Sequence, residues 1–267
     1  MRVAIGQIDV KWEDKETNKK KVKEFAEAAV TNGSDIIFFP EMTLTGFSMN
    51  INLIAEEELE SVRWFSDLAK SLNIAIGFGW VERVFDKGAN NFSIVNNEGE
   101  EIVRYTKIHP FSYADEDKYY RAGTEVKTVN IGSAVICPFI CYDLRFPEIF
   151  QIGSKSSNVI VVIANWPESR KEHWRNLLVA RSIENQSYII GVNRVGNGNN
   201  LNYTGNSMVI SPLGEIMEEA KNVETILFSE ISIDLVEKVR SGFPVKKDRK
   251  EALYVRYYGR EDTNYEI

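Results

Sequence analysis

The chain has 267 residues, 43% of them apolar and 27% charged, with a net charge of −7. This is the composition of a folded globular chain, long enough to bury roughly three quarters of its unfolded surface, not of a disordered one. The negative balance excludes broad electrostatic binding to nucleic acid or anionic lipid, and no apolar run approaches the roughly 18 residues of a membrane span.

The predicted elements begin at once, with a β-type run at residues 3–8. No signal peptide precedes it, so a cytoplasmic location is expected. A helical pattern at 18–32 follows, with Val22, Phe25, Ala26, Ala29 and Val30 on one side and Lys20, Lys23, Glu24 and Glu27 on the other. That is a helix half buried on a sheet, and its lysines read as a solvated face. A strand at 35–39 stops at Pro40 and Glu41, and a second helix is expected at 57–72. Strands follow at 74–80, 91–96 and 101–107, the last two joined by the turn Asn97-Glu98-Gly99. Strands at 126–129 and 134–140 lead to Cys141, and a helix at 146–154 comes next. The remainder reads as strand 159–164, helix 174–186, strands 188–195, 206–211 and 225–233, and helix 235–241, with a hairpin turn at Pro212-Leu213-Gly214.

Apolar strands joined by helices imply sheets covered by helices. The order strand, helix, strand, helix, hairpin occurs twice. An α/β fold of two mixed sheets packed face to face, with helices outside, fits that order. No linker rich in Pro, Gly or Ser interrupts the chain, so one domain over 1–267 is expected.

Three strand ends carry chemistry. Cys141 ends the run Val135-Ile136-Cys137-Pro138-Phe139-Ile140 and precedes a polar, helix-starting segment. A thiol there sits beside backbone N–H groups that still lack partners and can bind an oxyanion. Glu41 follows Pro40 at an apolar edge, where desolvation makes a carboxylate a better base. Lys107 ends the run at 102–106, and an ammonium beside a thiol favours the thiolate and attracts a carbonyl oxyanion. The plain alternatives are a turn cap for Glu41 and a surface lysine for Lys107. The chain has two histidines, His109 and His173, and a Cys–His dyad is the competing arrangement. Cys137 reads as a small buried apolar residue. On an extended run the two cysteines lie roughly 13 Å apart, beyond disulfide reach, and Cys and His stand in no metal-ligand spacing. No metal is expected.

Three segments carry a resemblance: Ile-Ile-Phe-Phe-Pro-Glu-Met at 36–42, Lys-Ile-His-Pro-Phe at 107–111 and Cys-Tyr-Asp-Leu-Arg-Phe-Pro-Glu at 141–148. In this order they resemble the signature segments of the carbon–nitrogen hydrolase (nitrilase) superfamily. The likeness extends over essentially the whole chain, through Ala164-Asn165-Trp166-Pro167 and the segments at 181–186, 191–196 and 209–215. It implies a four-layer α-β-β-α sandwich and a Glu-Lys-Cys triad that needs no metal and no cofactor. Carried over by position, Glu41 is the general base, Cys141 the nucleophile and Lys107 the oxyanion stabiliser. The backbone N–H of Tyr142 is the second oxyanion donor. The family often has a further acid before a Gly-ended turn, and Glu116 fits best, although Asp115 and Asp117 flank it. Family members commonly pair through the nucleophile-side helices, so a homodimer is expected.

Within the superfamily the segments look most like the omega-amidase group, which hydrolyses the terminal amide of 2-oxo acid amides such as 2-oxoglutaramate and 2-oxosuccinamate. The deaminated-glutathione amidases, other aliphatic or carbamoyl amidases, and a catalytically silent scaffold are the alternatives. The residues add one independent argument. Arg145, four residues past the thiol, can grip a substrate carboxylate in a bidentate fork. Its other role would be an ion pair with Glu148 or Asp143. Phe47, Met49 and Trp166 are candidates for an apolar wall around a small amide substrate.

Overall fold

The computed structural model describes residues 1–259. The chain runs β1 (Arg2–Gln7), α1 (Lys15–Thr31), β2 (Ile36–Phe38), α2 (Ile51–Ile54), α3 (Glu60–Leu72), β3 (Ala75–Val84), β4 (Lys87–Val95), β5 (Glu101–Thr106) and α4 (Glu116–Tyr119). It continues through β6 (Val129–Ile131), β7 (Ala134–Ile140), α5 (Pro147–Gly153), β8 (Val159–Ala164), α6 (Lys171–Asn185), β9 (Tyr188–Asn193), β10 (Val195–Gly198) and β11 (Leu201–Thr204). The last elements are β12 (Met208–Ile210), β13 (Ile216–Glu219), β14 (Thr225–Glu230), α7 (Ile233–Gly242) and α8 (Glu251–Tyr258).

Two six-stranded mixed sheets form, in the orders β14-β1-β2-β3-β4-β5 and β13-β12-β9-β8-β7-β6. In each the central strands are parallel and the flanking strands antiparallel. The period-two alternation of strand side chains decides what packs where. Val3, Ile5, Ile36, Phe38 and Phe92 join the core between the sheets, against Phe139 and other residues of the second sheet. Their neighbours Ala4, Ile37, Phe39, Ile76 and Phe78 point the other way, onto Val22 and Ala26 of α1 and Phe65 and Leu68 of α3. On the far side, α6 lies so close to β9 that a Cβ on Gly191 would meet Leu178 at 2.4 Å. The outcome is the expected four-layer α-β-β-α sandwich. Among the described residues no helix is long and apolar enough to cross a membrane.

The differences from the sequence reading have local causes. Helix α1 starts at Lys15, three residues before the apolar pattern, because the Asp14 carboxylate caps the Thr17 N–H at 3.0 Å. Strand β4 starts at Lys87, since β3 and β4 form one long hairpin whose tip, at Phe85 and Asp86, is exposed. The strand expected at 126–129 lies instead at Val129–Ile131, paired with β7. The hairpin β10–β11, unread in the sequence, turns at Asn199 and Asn200, whose φ angles of 46° and 61° suit the residue type that best tolerates the left-handed region.

Candidate active site

Glu41 emerges just past β2 and is fully buried. Gly79 on β3 permits this, because a Cβ there would lie 2.4 Å from the Met42 nitrogen and 2.7 Å from the Glu41 Cα. Thr43 closes the approach: its N–H donates to the Gly79 carbonyl at 2.9 Å, and its hydroxyl accepts from the Gly79 N–H at 3.0 Å. The Glu41 carboxylate accepts from Asn90 Nδ2 at 2.7 Å, from the Asn165 N–H at 2.9 Å and from Lys107 Nζ at 3.1 Å. Asn165 Nδ2 also donates to the Glu41 carbonyl at 2.6 Å.

Lys107 lies just past β5, on the same sheet, with its N–H on the Asn90 carbonyl at 2.9 Å and its carbonyl accepting from the Gly123 N–H at 2.7 Å. Its ammonium also reaches Glu116 Oε2 at 2.8 Å. Glu116 projects inward from the short helix α4 and is fully buried, while Asp115 and Asp117 face out. The Phe111 N–H and Asn90 Nδ2 complete its hydrogen bonds. Burial opposes the Lys107 charge, but the Glu116 and Glu41 carboxylates outweigh it and hold the ammonium protonated far above its ordinary range. One cation serves two carboxylates, so burial pushes the Glu116 carboxyl up, with Lys107 pulling against it and Glu41 adding to it.

Cys141 comes from the other sheet. It follows β7 and begins a 3₁₀ turn, Cys141–Arg145, with φ at 46°, a conformation a residue with a Cβ seldom adopts. Burial pushes its thiol well above the usual range, and the Glu41 charge adds to this. Lys107 and a backbone hydrogen bond from Asn165 act in the opposite sense. The thiol thus sits beside the buried Glu41 side chain. The Tyr142 N–H stands in the first turn, where no intrahelical carbonyl precedes it.

Asp143, fully buried, ties the two halves together. Its carboxylate accepts from the Ile140 N–H at 3.1 Å and the Tyr105 hydroxyl at 2.7 Å. It also accepts from the His109 N–H at 3.0 Å, and His109 Nδ1 lies 2.8 Å away. The His109 ring stacks on Phe146 with centroids 3.8 Å apart. The Cys–His dyad is thus not what the structure assembles. His173 is exposed, with Nδ1 3.2 Å from Arg145 Nη2.

A cavity of about 60 Å³ opens at Cys141, and Phe47, Tyr142, Arg145 and Trp166 all line it. Met49 does not. The Phe47 ring lies 5.3 Å from Lys107 Nζ. The Arg145 guanidinium lies 4.9 Å over the Trp166 ring. Among the described residues it pairs with no carboxylate, so the alternative partners Glu148 and Asp143 are not taken. The sequence reading missed Asn90, Asn165, Asp143, Arg170 and Tyr203. Two buried asparagines in a strand, Asn90 and Asn91, were the available signal for the first. No set of three His, Cys, Asp or Glu side chains arranged as metal ligands occurs among the described residues.

Two sheets that bring a thiol, a carboxylate and an ammonium together at their strand ends, with a second carboxylate from α4, define a class, and the chain's own matches agree with it. The chain belongs to the carbon–nitrogen hydrolase family, whose model matches residues 2–241, and it is a hydrolase of carbon–nitrogen bonds other than peptide bonds. It is 34% identical to the omega-amidase YafV of Yersinia enterocolitica, over 95% of this chain and 98% of that one. It is 33% identical to the 2-oxoglutaramate amidase of Bacillus subtilis, over 94% and 98%. A solved carbon–nitrogen hydrolase superfamily protein of Xanthomonas campestris, with an arsenic adduct in its active site, superposes with a TM-score of 0.88 at 30% identity, covering 93% of this chain and 97% of that one.

Proposed function

We propose that the protein is an omega-amidase, releasing ammonia from the terminal amide of small carboxylate-bearing substrates such as 2-oxoglutaramate. The observation that carries this reading is the Arg145 guanidinium, free of any carboxylate partner among the described residues, in a cavity of about 60 Å³ shared with Cys141. The names of the two relatives support it.

In this reading Glu41 takes the thiol proton as Cys141 attacks the amide carbon. The developing oxyanion is held by Lys107 Nζ and the Tyr142 N–H. The carbon–nitrogen bond breaks, ammonia leaves with the proton that Glu41 returns, and an acyl thioester remains on Cys141. Glu41 then deprotonates a water that cleaves the thioester, and the acid and the thiol are released. Glu116 holds Lys107 in place. Phe47 and Trp166 exclude water. We further propose a cytoplasmic homodimer: both cysteines are free, as suits a reducing compartment, and α5, α6 and the C-terminal segment present apolar side chains.

Ammonia release from 2-oxoglutaramate, succinamate, deaminated glutathione, a carbamoyl amino acid and an aliphatic nitrile tests the activity. Arg145→Lys tests the reader. It keeps the charge but loses the planar fork, so kcat/KM on succinamate should fall about tenfold or more, the worth of one charge-assisted hydrogen bond. Butyramide, which has no carboxylate, should be a poor substrate and little altered. Equal loss on both amides would return Arg145 to a structural role.

A further inference from the structure

Asn165 stands between the base and the nucleophile. It follows β8, is 4% exposed and lines the cavity at Cys141. Its N–H donates to Glu41 Oε2 at 2.9 Å and also to the Cys141 thiol. Its side-chain Nδ2 donates to the Glu41 carbonyl at 2.6 Å and lies 3.4 Å from Glu41 Oε2. Both partners of Nδ2 are acceptors. Exchanging Nδ2 with Oδ1 would set oxygen against oxygen, so the orientation of the amide is fixed and Oδ1 is left as an acceptor. That atom is buried, and among the described residues nothing donates to it. A buried carbonyl without a donor is costly to keep, and at a catalytic site it points to a donor that arrives with the substrate.

The donors already in the site are engaged. Lys107 Nζ is held by Glu41 and Glu116, and Asn90 Nδ2 by the same two carboxylates. The scissile amide brings N–H groups of its own. Its nitrogen has to come within hydrogen-bond reach of Glu41, which returns the proton to it. Asn165 is in contact with that carboxylate through both its N–H and its Nδ2. We propose that Asn165 Oδ1 accepts an N–H of the scissile amide and so turns the nitrogen lone pair toward Glu41. In the planar amide that lone pair is shared with the carbonyl. Attack by Cys141 makes the nitrogen pyramidal and localises the pair. With one N–H held on Oδ1, the pair faces the Glu41 carboxyl. The proton moves from Glu41 to nitrogen, the carbon–nitrogen bond breaks, and its electrons leave with ammonia. An ester places an oxygen without hydrogen at the same point. Oδ1 is then unpaired and two acceptors face each other, which a site built to accept rejects. Asn165 thereby selects nitrogen over oxygen leaving groups, a role that rests on the amidase reading above and on Glu41 as its base.

The test compares succinamate with monomethyl succinate, which carries the same acyl group, by release of ammonia and of methanol. Both substrates form the same thioester, so the ratio of their kcat/KM values reports the step that forms it. Asn165→Ala removes both the side-chain donor and the acceptor. Asn165→Asp removes the donor and keeps an acceptor oxygen. In Asn165→Ala the amide-over-ester ratio should fall about tenfold. In Asn165→Asp both rates should drop, because Glu41 loses the Nδ2 contact, while the ratio stays near that of wild type. A residue that serves only to hold Glu41 would lose the same donor in both variants and shift the ratio alike in both. Each ratio is taken on one preparation, so a loss of folded protein cancels. A ratio unchanged in Asn165→Ala, or shifted equally in the two variants, overturns the role of Oδ1 and leaves the omega-amidase reading intact. A wild type that releases no ammonia from succinamate or 2-oxoglutaramate overturns that reading and the role with it.

Discussion

At Cys141 the backbone is turned into the left-handed region and the thiol is pushed up by burial and by Glu41. In the proposed reaction the reactivity of Cys141 is therefore tied to the carboxylates around it. Removing a negative charge eases thiolate formation, so in Glu41→Gln and in Glu116→Gln the pH midpoint for alkylation of Cys141 by iodoacetamide should move down, although turnover in Glu41→Gln is lost. Intact mass against pH reads this directly; an upward movement would contradict the charge arrangement. Cys141→Ala should abolish turnover. Cys137→Ala should keep most of it and lose about 1 kcal/mol of stability, because Cys137 is a fully buried core residue packed against Gly153. Glu41, Lys107 and Cys141 were legible in the sequence because each interrupts an apolar run with one reactive group. Asn90 and Asp143 were not, since the role of each rests on a partner far away in the chain, Glu41 across 49 positions for Asn90 and Tyr105 across 38 for Asp143.

At the scale of elements, what positions the site is the approach of one strand end to its neighbour. Gly79 is the clearest case. Any side chain there collides with the Glu41 and Met42 backbone, and backbone cannot swing aside as a flexible side chain does. Gly79→Ala should shift Glu41 enough to cost at least tenfold in kcat, with a stability loss on the order of 1–3 kcal/mol for the overpacked site. A crystal structure of the variant showing Glu41 still within hydrogen-bond reach of Lys107 and Asn165, with full activity, would refute the assignment. The long parallel strands were legible because they are continuous apolar runs. The short helix carrying Glu116 was not, since four residues, Glu116–Tyr119, carry no helical period and the burial of Glu116 alone decides which of three adjacent acids turns inward. Hairpin β10–β11 was hidden for a related reason: its two four-residue strands bury Val195, Gly198, Tyr203 and Thr204, which show no regular alternation.

Among the described residues, apolar side chains stay exposed on α5, on α6 and just past α7, a surface the sandwich does not cover. Ile152 on α5 and Ile183 on α6 are each 54% exposed, and Phe243 beyond α7 is 70% exposed. The segments that carry them meet: Ser154 after α5 donates to Asn185 of α6 at 3.0 Å, and Gln186 donates to the Phe243 carbonyl at 2.7 Å. If a second copy covers this face, sedimentation should give twice the chain mass, and Ile183→Glu should yield a monomer, since a charge buried unpaired at an interface costs several kcal/mol. A monomeric wild type would dismiss the pairing. The layered architecture was foreseeable from the repeated order of runs. Which apolar side chains stay exposed was not, because exposure is a property of the assembled surface and not of any single helix's pattern.

Glu41 and Lys107 hang from one sheet, Cys141 and Asn165 from the other, and the core between the sheets, with the hydrogen bonds of Asp143 and Asn165 across it, brings them together. A chain with one sheet formed holds a base without a nucleophile, or a nucleophile without a base. There is no weaker, partial form of this enzyme for a folding intermediate to express. The onset of ammonia release after dilution from denaturant is thus a clock for the docking of the two halves, silent while the strands assemble and starting only when they meet.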